Sequence, residues 1–201
     1  MQIGISLYPG LENTLEENLN LLSQAASFGI TRIFTSLQIP ESNPDELKQQ
    51  LPLLLNTARK LQLDVTADIS PQTSQLLGLK ELTPSALLKS GITTVRFDAG
   101  YDPEQIAEFS QVMRVQLNAS TVTADQLEEL RVYQVNFHHL EALHNYYPRP
   151  HTGLSEKYLL AQNQLLQRAG LTVGAFIACA AVKSRRGPLK EGLPTLEDDR
   201  H

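Results

Sequence analysis

Two carboxylates stand near the ends of apolar runs rich in β-branched side chains, Asp68 in residues 63–70 and Asp98 in residues 91–98. Carboxyl groups brought together suit hydrolysis of a glycosidic bond, in which one, protonated, assists the leaving oxygen and the other, ionised, attacks the sugar or activates water. Proximity pushes two such groups apart in proton affinity and so divides the roles. Glu41 is a third candidate, with Glu191 and Glu197 behind it, although an acid at position 41 also suits the first turn of a following helix.

A second concentration of chemistry is the stretch His144-Asn145-Tyr146-Tyr147-Pro148-Arg149-Pro150-His151-Thr152-Gly153-Leu154-Ser155. Arg149 offers a planar fork of donors beside Thr152, Gly153 and Ser155 at a helix start, a combination suited to an anion such as phosphate. Arg186 with Gly187 is a second anion candidate. Tyr147 or Tyr146 offers a face to stack on a sugar ring, while His144 and Asn145 suit its hydroxyl or acetamido groups. The same stretch also reads as a rigid surface turn fixed by Pro148 and Pro150. A metal centre on His138, His139 and His144 is disfavoured, because neighbours in a strand point to opposite faces and only His138 and His144 would share a side.

These residues need a scaffold, and the hydrophobic pattern supplies one. Strands are expected at residues 3–8, 31–37, 63–70, 91–98, 112–118, 137–143 and 171–178. Helices are expected at residues 11–28, 42–61, 73–77, 84–89, 103–109, 124–130 and 155–169, with Pro52 kinking the second or restarting it. Alternation of this kind predicts a parallel sheet, and its even spacing favours a TIM-type (β/α) barrel over an open doubly wound sheet. Ser6 and Tyr8, Thr35 and Ser36, Asp68 and Ser70, Asp98, Asn118, and His144 with Asn145 then fall at C-terminal strand ends. In a barrel those ends converge on one pocket, although each residue singly also reads as a cap for the next helix. An aldolase or isomerase barrel would want a pocket lysine, whereas Lys60, Lys80, Lys89 and Lys157 fall on expected helices or loops.

At 201 residues and 41% hydrophobic, the chain can bury one sizeable core. A formal charge of -5 disfavours a nucleic-acid or anionic-membrane surface but leaves room for a local phosphate pocket. Cys179 is the single cysteine, the N-terminus lacks the basic start and apolar core of a signal peptide, and no apolar run approaches a membrane span. A cytoplasmic protein acting on a small molecule is therefore expected.

Seven motifs, taken in order, carry a family resemblance. They are Ile5-Ser6-Leu7-Tyr8-Pro9, Arg32-Ile33-Phe34-Thr35-Ser36-Leu37, Asp68-Ile69-Ser70-Pro71, Arg96-Phe97-Asp98-Ala99-Gly100, Leu117-Asn118-Ala119-Ser120, residues 144–155, and the run from Arg186-Gly187-Pro188 through Glu191 to Glu197. The chain resembles the N-terminal domain of the 6-phospho-N-acetylmuramidase family from residue 3 to about 197. That resemblance implies a cytoplasmic glycoside hydrolase of peptidoglycan recycling, which splits N-acetylmuramic acid 6-phosphate from N-acetylglucosamine with no metal or organic cofactor. Asp68, Asp98 and Glu41 are then the candidate catalytic residues. Tyr8, Ser36, Asn118, His144, Asn145, Tyr147, Arg149, Thr152, Gly153, Arg186 and Glu191 are the candidate substrate-binding ones.

Two departures from the family pattern shape the expectation. A Gly-Asp pair is expected after the seventh strand, where the sequence reads Ala178-Cys179-Ala180-Ala181. Family members also continue with a last helix and strand and a smaller β-rich domain, whereas the sequence ends at His201. One incomplete barrel domain over residues 1–201 is expected, with about seven strands and its last strand missing. Unpaired sheet edges would favour a homo-oligomer, and the alternative function is an inactive, truncated barrel that only binds a phosphosugar.

Overall fold

The computed structural model describes residues 2–11, 13–37, 42–97, 102–145 and 153–176. The chain forms two compact units, Met1–Val115 and Gln116–His201. Its seven parallel strands follow one another in sequence order, β1 to β7, with helices between them. This is an α/β fold of the TIM-type (β/α)-barrel class, incomplete among the described residues.

In the first unit, β1 (Gly4–Ser6) leads to α1 (Leu15–Ser27), β2 (Arg32–Ser36), α2 (Pro44–Lys60) and β3 (Asp64–Asp68). The short α3 (Thr73–Leu76) and α4 (Pro84–Ser90) precede β4 (Thr94–Phe97) and α5 (Pro103–Ser110). Side-chain caps explain the helix starts. Thr14 accepts from the Glu17 amide while Glu17 reaches back to Thr14, so α1 begins at Leu15 rather than at residue 11. Asn43 caps α2 ahead of Pro44, whose missing N–H costs nothing at a first turn.

Pro52 neither breaks nor restarts α2, which runs unbroken through it. The carbonyl that a proline frees one turn earlier belongs to Lys48, an exposed residue, so water can satisfy it. Gly91, expected in the fourth strand, instead caps α4 at φ 109°, a left-handed conformation that favours glycine.

The register sorts the strand residues into two faces. Ser36 pairs with Asp68 and Asp68 with Arg96, two residues beyond the pairings of Phe34 with Thr66 and Thr66 with Thr94. The alternate residues Ile33, Thr35 and Val65 line a small apolar cavity with Leu22 of α1 and Leu51, Leu54, Leu55 and Ala58 of α2. That face packs on the helices, so Phe34, Ser36, Thr66, Asp68, Thr94 and Arg96 occupy the other.

β5 (Arg114–Asn118) ends in the second unit, where α6 (Ala124–Val132), β6 (Leu140–His144), α7 (Glu156–Arg168) and β7 (Thr172–Ala175) follow. The sixth strand begins three residues later than the pattern suggests. Phe137–His139 form a 3₁₀ turn because the Asn136 side chain accepts the His138 amide, and the Arg131 guanidinium lies 4.4 Å from the Phe137 ring centroid. His138 and His139 therefore sit in a turn, and the argument about opposite strand faces does not apply to them.

Candidate active site

The face of β2, β3 and β4 turned away from the helices is lined with polar groups, where barrel interiors are usually filled with branched apolar side chains. Arg96 is 1% exposed, and its Nε lies 3.3 Å from Asp68 Oδ1. Towards the N-terminal ends of the strands Arg32 Nη2 donates to Thr66 Oγ1 at 3.1 Å, and Nη2 of the half-exposed Arg114 lies 2.6 Å from Asp64 Oδ2. Asp68 is the last residue of β3, and Ser36, its partner in register, is the last of β2. Both are buried. Tyr8 follows β1 and sets its ring edge-on to Phe34, 6.4 Å between centroids.

A guanidinium at this distance favours the ionised carboxylate, and burial strengthens the attraction. Arg96 thus sets a cation beside the Asp68 carboxylate at a fixed place on the wall. The other two candidate acids, Asp98 and Glu41, lie outside the described residues. So do Tyr147, Arg149, Thr152, Arg186 and Glu191.

The second unit places Asn118, His144, Asn145 and Gly153. Asn118 ends β5, and its Oδ1 accepts the Ser120 amide at 2.9 Å. His144 ends β6 and is 4% exposed, with Nδ1 3.1 Å from Ser120 Oγ and Nε2 2.9 Å from Asn163 Oδ1. Its ring is turned towards α7, and both ring nitrogens are taken. The His144 ring, a candidate for substrate contact from its place in the chain, is thus engaged by Ser120 and Asn163. The Asn145 amide donates to the same Ser120 Oγ at 3.1 Å. Gly153 stands two residues before Ser155, whose hydroxyl caps α7 by accepting the Tyr158 amide.

Arg96, Ser120 and Asn163 were not singled out by sequence reasoning. A signal existed for Arg96, since an arginine inside a run as apolar as Ile92-Thr93-Thr94-Val95-Arg96-Phe97 must find a counter-charge when buried. None pointed to Asn163, an ordinary polar residue on an amphipathic helix. Among the described residues no group of three or more His, Cys, Asp or Glu is arranged to hold a metal ion, and no helix is long and apolar enough to cross a membrane.

A conserved Enterococcus faecalis protein of unknown function, known from its crystal structure, is 36% identical with a TM-score of 0.81; the match covers 98% of this chain and 54% of that one. An uncharacterised B. cereus protein is 28% identical with a TM-score of 0.76, over 99% of this chain and 54% of that one. The chain thus spans about half the length of these two relatives. Thiamine phosphate pyrophosphorylase from Pyrococcus furiosus, at 10% identity and a TM-score of 0.53 over 99% of this chain and 92% of its own, shares the fold alone. No curated protein matches the sequence. The model of the family described as 6-phospho-N-acetylmuramidase, N-terminal, matches residues 3–201, and the chain belongs to that family.

Proposed function

We propose that this chain is the barrel domain of a cytoplasmic glycoside hydrolase that separates 6-phospho-N-acetylmuramic acid from N-acetylglucosamine in peptidoglycan recycling. The family supplies the substrate class. The observation that carries the chemistry is the buried Asp68 carboxylate, ion-paired with Arg96 at the end of β3.

An anion held by a fixed cation suits the ionised partner of a glycosidase pair. Asp68 then attacks the anomeric carbon or takes a proton from the attacking water. Asp98, with Glu41 in reserve, protonates the bridging oxygen as its bond to that carbon breaks, so N-acetylglucosamine leaves as a neutral alcohol. Water completes the phosphosugar, and paired carboxyls need neither metal nor organic cofactor for this.

Tyr8, Ser36, Asn118, Asn145 and Tyr147 are assigned to the sugar rings and their polar substituents. Arg149 with Thr152 and Gly153, or Arg186, is assigned to the phosphate, and Glu191 to substrate binding.

Incubating the 201-residue chain with the phosphorylated disaccharide and reading products by mass spectrometry tests the proposal. Release of both sugars is expected, with Asp68→Asn and Asp98→Asn each lowering the rate by about 10²–10⁴-fold. A soluble, cooperatively folded parent chain that binds the disaccharide without turning it over sinks the hydrolase reading and leaves a phosphosugar-binding protein.

A further inference from the structure

His144 is a buried titratable group that the proposed hydrolysis does not use. Its surroundings give it a definite task. Ser120 Oγ accepts the Asn145 amide and can still meet His144 Nδ1 as donor or acceptor; the Asn163 carbonyl oxygen, which only accepts, decides between the two. Nδ1 is then an acceptor, the proton belongs on Nε2, and Nε2 faces the carbonyl oxygen of Asn163 at 2.9 Å. All the donors run one way, from Asn145 through Ser120 and His144 to Asn163. The opposite tautomer would set the lone pairs of Nε2 and Asn163 Oδ1 against each other at 2.9 Å.

Other side chains of α7 grip the same turn. Tyr158 Oη donates to the Ser120 carbonyl at 3.2 Å, and Gln162 Nε2 donates to the carbonyls of Ala119 and Val122 at 3.0 Å each. The Asn118 side chain closes the turn from within by accepting the Ser120 amide. Helix α7 thus anchors residues 118–122, and the His144–Ser120 contact ties that turn to the end of β6.

We propose that His144 is a positioning residue, locked as the neutral Nε2–H tautomer between Asn163 and Ser120, which fixes the backbone from which Asn118 and Asn145 present their amides to substrate. The contact of those amides with a sugar rests on the hydrolase reading; the lock itself does not. An imidazole fits the task because a rigid ring carries an acceptor and a donor on opposite sides, without the rotamer freedom of a glutamine.

Two measurements test the lock whether or not the protein is a hydrolase. Nitrogen-15 NMR of the imidazole should show one ring state protonated at Nε2 alone. Amide hydrogen exchange at Asn145 should be about tenfold slower than in Ser120→Ala, since one hydrogen bond to a buried hydroxyl is lost in the variant. A ring protonated at Nδ1, or averaging between tautomers, overturns the proposal, as does unchanged exchange at Asn145.

Conservative rescue gives a second line. Asn163→Asp keeps an acceptor opposite Nε2 and should retain the protection that Asn163→Leu loses; equal protection in both overturns the lock. With the phosphorylated disaccharide, folded Ser120→Ala should show KM raised about tenfold and kcat within about threefold of the parent. Loss confined to kcat at unchanged KM places the network in the chemistry and overturns the positioning role. A parent chain without turnover removes the hydrolase reading, while the ring state and the exchange rates still decide the lock.

Discussion

The two units bury polar groups at the ends of their strands by opposite electrical means. On the wall of the first, the buried groups are charged and paired, Asp68 with Arg96. In the second, His144 is hydrogen-bonded to a hydroxyl and an amide, Ser120 and Asn163, groups that carry no charge. A buried ion pair repays its desolvation only when its geometry is good, and it leaves a fixed charge available to a reacting centre. A neutral relay carries a smaller desolvation cost and supplies direction without charge. The difference separates charge from direction: the first unit holds a buried ion pair, the second a chain of hydrogen-bonded side chains.

The sharpest way to break this comparison is to remove the buried cation. Arg96→Met leaves the Asp68 carboxylate without its counter-charge and should cost about 3–5 kcal/mol of stability, read by denaturant unfolding. The double variant Arg96→Met/Asp68→Leu should recover most of that loss, because the uncompensated charge goes with it, while activity stays lost. A cost below about 1 kcal/mol for Arg96→Met would mean that the pair behaves as a solvated surface bridge, and the contrast between the units would collapse.

The same contrast explains what the sequence revealed and what it withheld. Alternation of apolar runs located every strand and helix of the described residues, and local chemistry fixed several ends, as with Gly29 at φ 75° after α1 and Ser155 capping α7. Boundaries failed where a side chain intervened. The Thr14–Glu17 box delays α1, the Asn136 bond to the His138 amide delays β6, and Gly91 belongs to a helix cap rather than a strand. Asp68 was legible because an acid at a strand end is conspicuous. Its partner Arg96 was less so, since pairing across strands depends on register, which one strand cannot announce. The inward or helix-facing choice at residues 144 and 145 turns on a single step of the pleat, and that step assigned the His144 ring to α7.

A smaller effect tests whether the polar groups of the first unit are favoured by their face. Thr35 lies on the helix side of β2 among apolar neighbours, 3% exposed, and its Oγ1 has no hydrogen-bond partner among the described residues. Thr35→Val should stabilise the chain by about 1 kcal/mol, because it removes a buried hydroxyl that pairs with nothing. The expected rise in thermal midpoint is about 2–4 °C for a protein of this size, at unchanged activity. A destabilised variant would show that the hydroxyl is satisfied after all, and that the helix-facing side of this sheet is no less polar in function than the wall opposite.

The smallest expected effect compares charge with neutrality at the surface, where burial does not amplify it. Both units contain a capping box, built with a carboxylate in Thr14–Glu17 of α1 and with an amide in Thr123–Gln126 of α6. Glu17 accepts the Thr14 amide at 2.7 Å and its hydroxyl at 2.9 Å. Those two bonds, the backbone one foremost, hold its pKa below the ordinary 4.5. A depressed folded pKa makes the contribution complete above the unfolded value and removes it as pH falls through the folded one. Glu17→Gln keeps a box of the kind α6 already uses but makes it independent of pH. Its unfolding midpoint should therefore match the parent near neutrality and fall less steeply below about pH 4.5. Gln126→Glu should do the reverse, adding an acid-side loss that the parent lacks. Superimposable acid limbs in parent and Glu17→Gln would show that the charge of the exposed carboxylate adds nothing to its hydrogen bonds, and would leave burial as the condition under which charge distinguishes the two units.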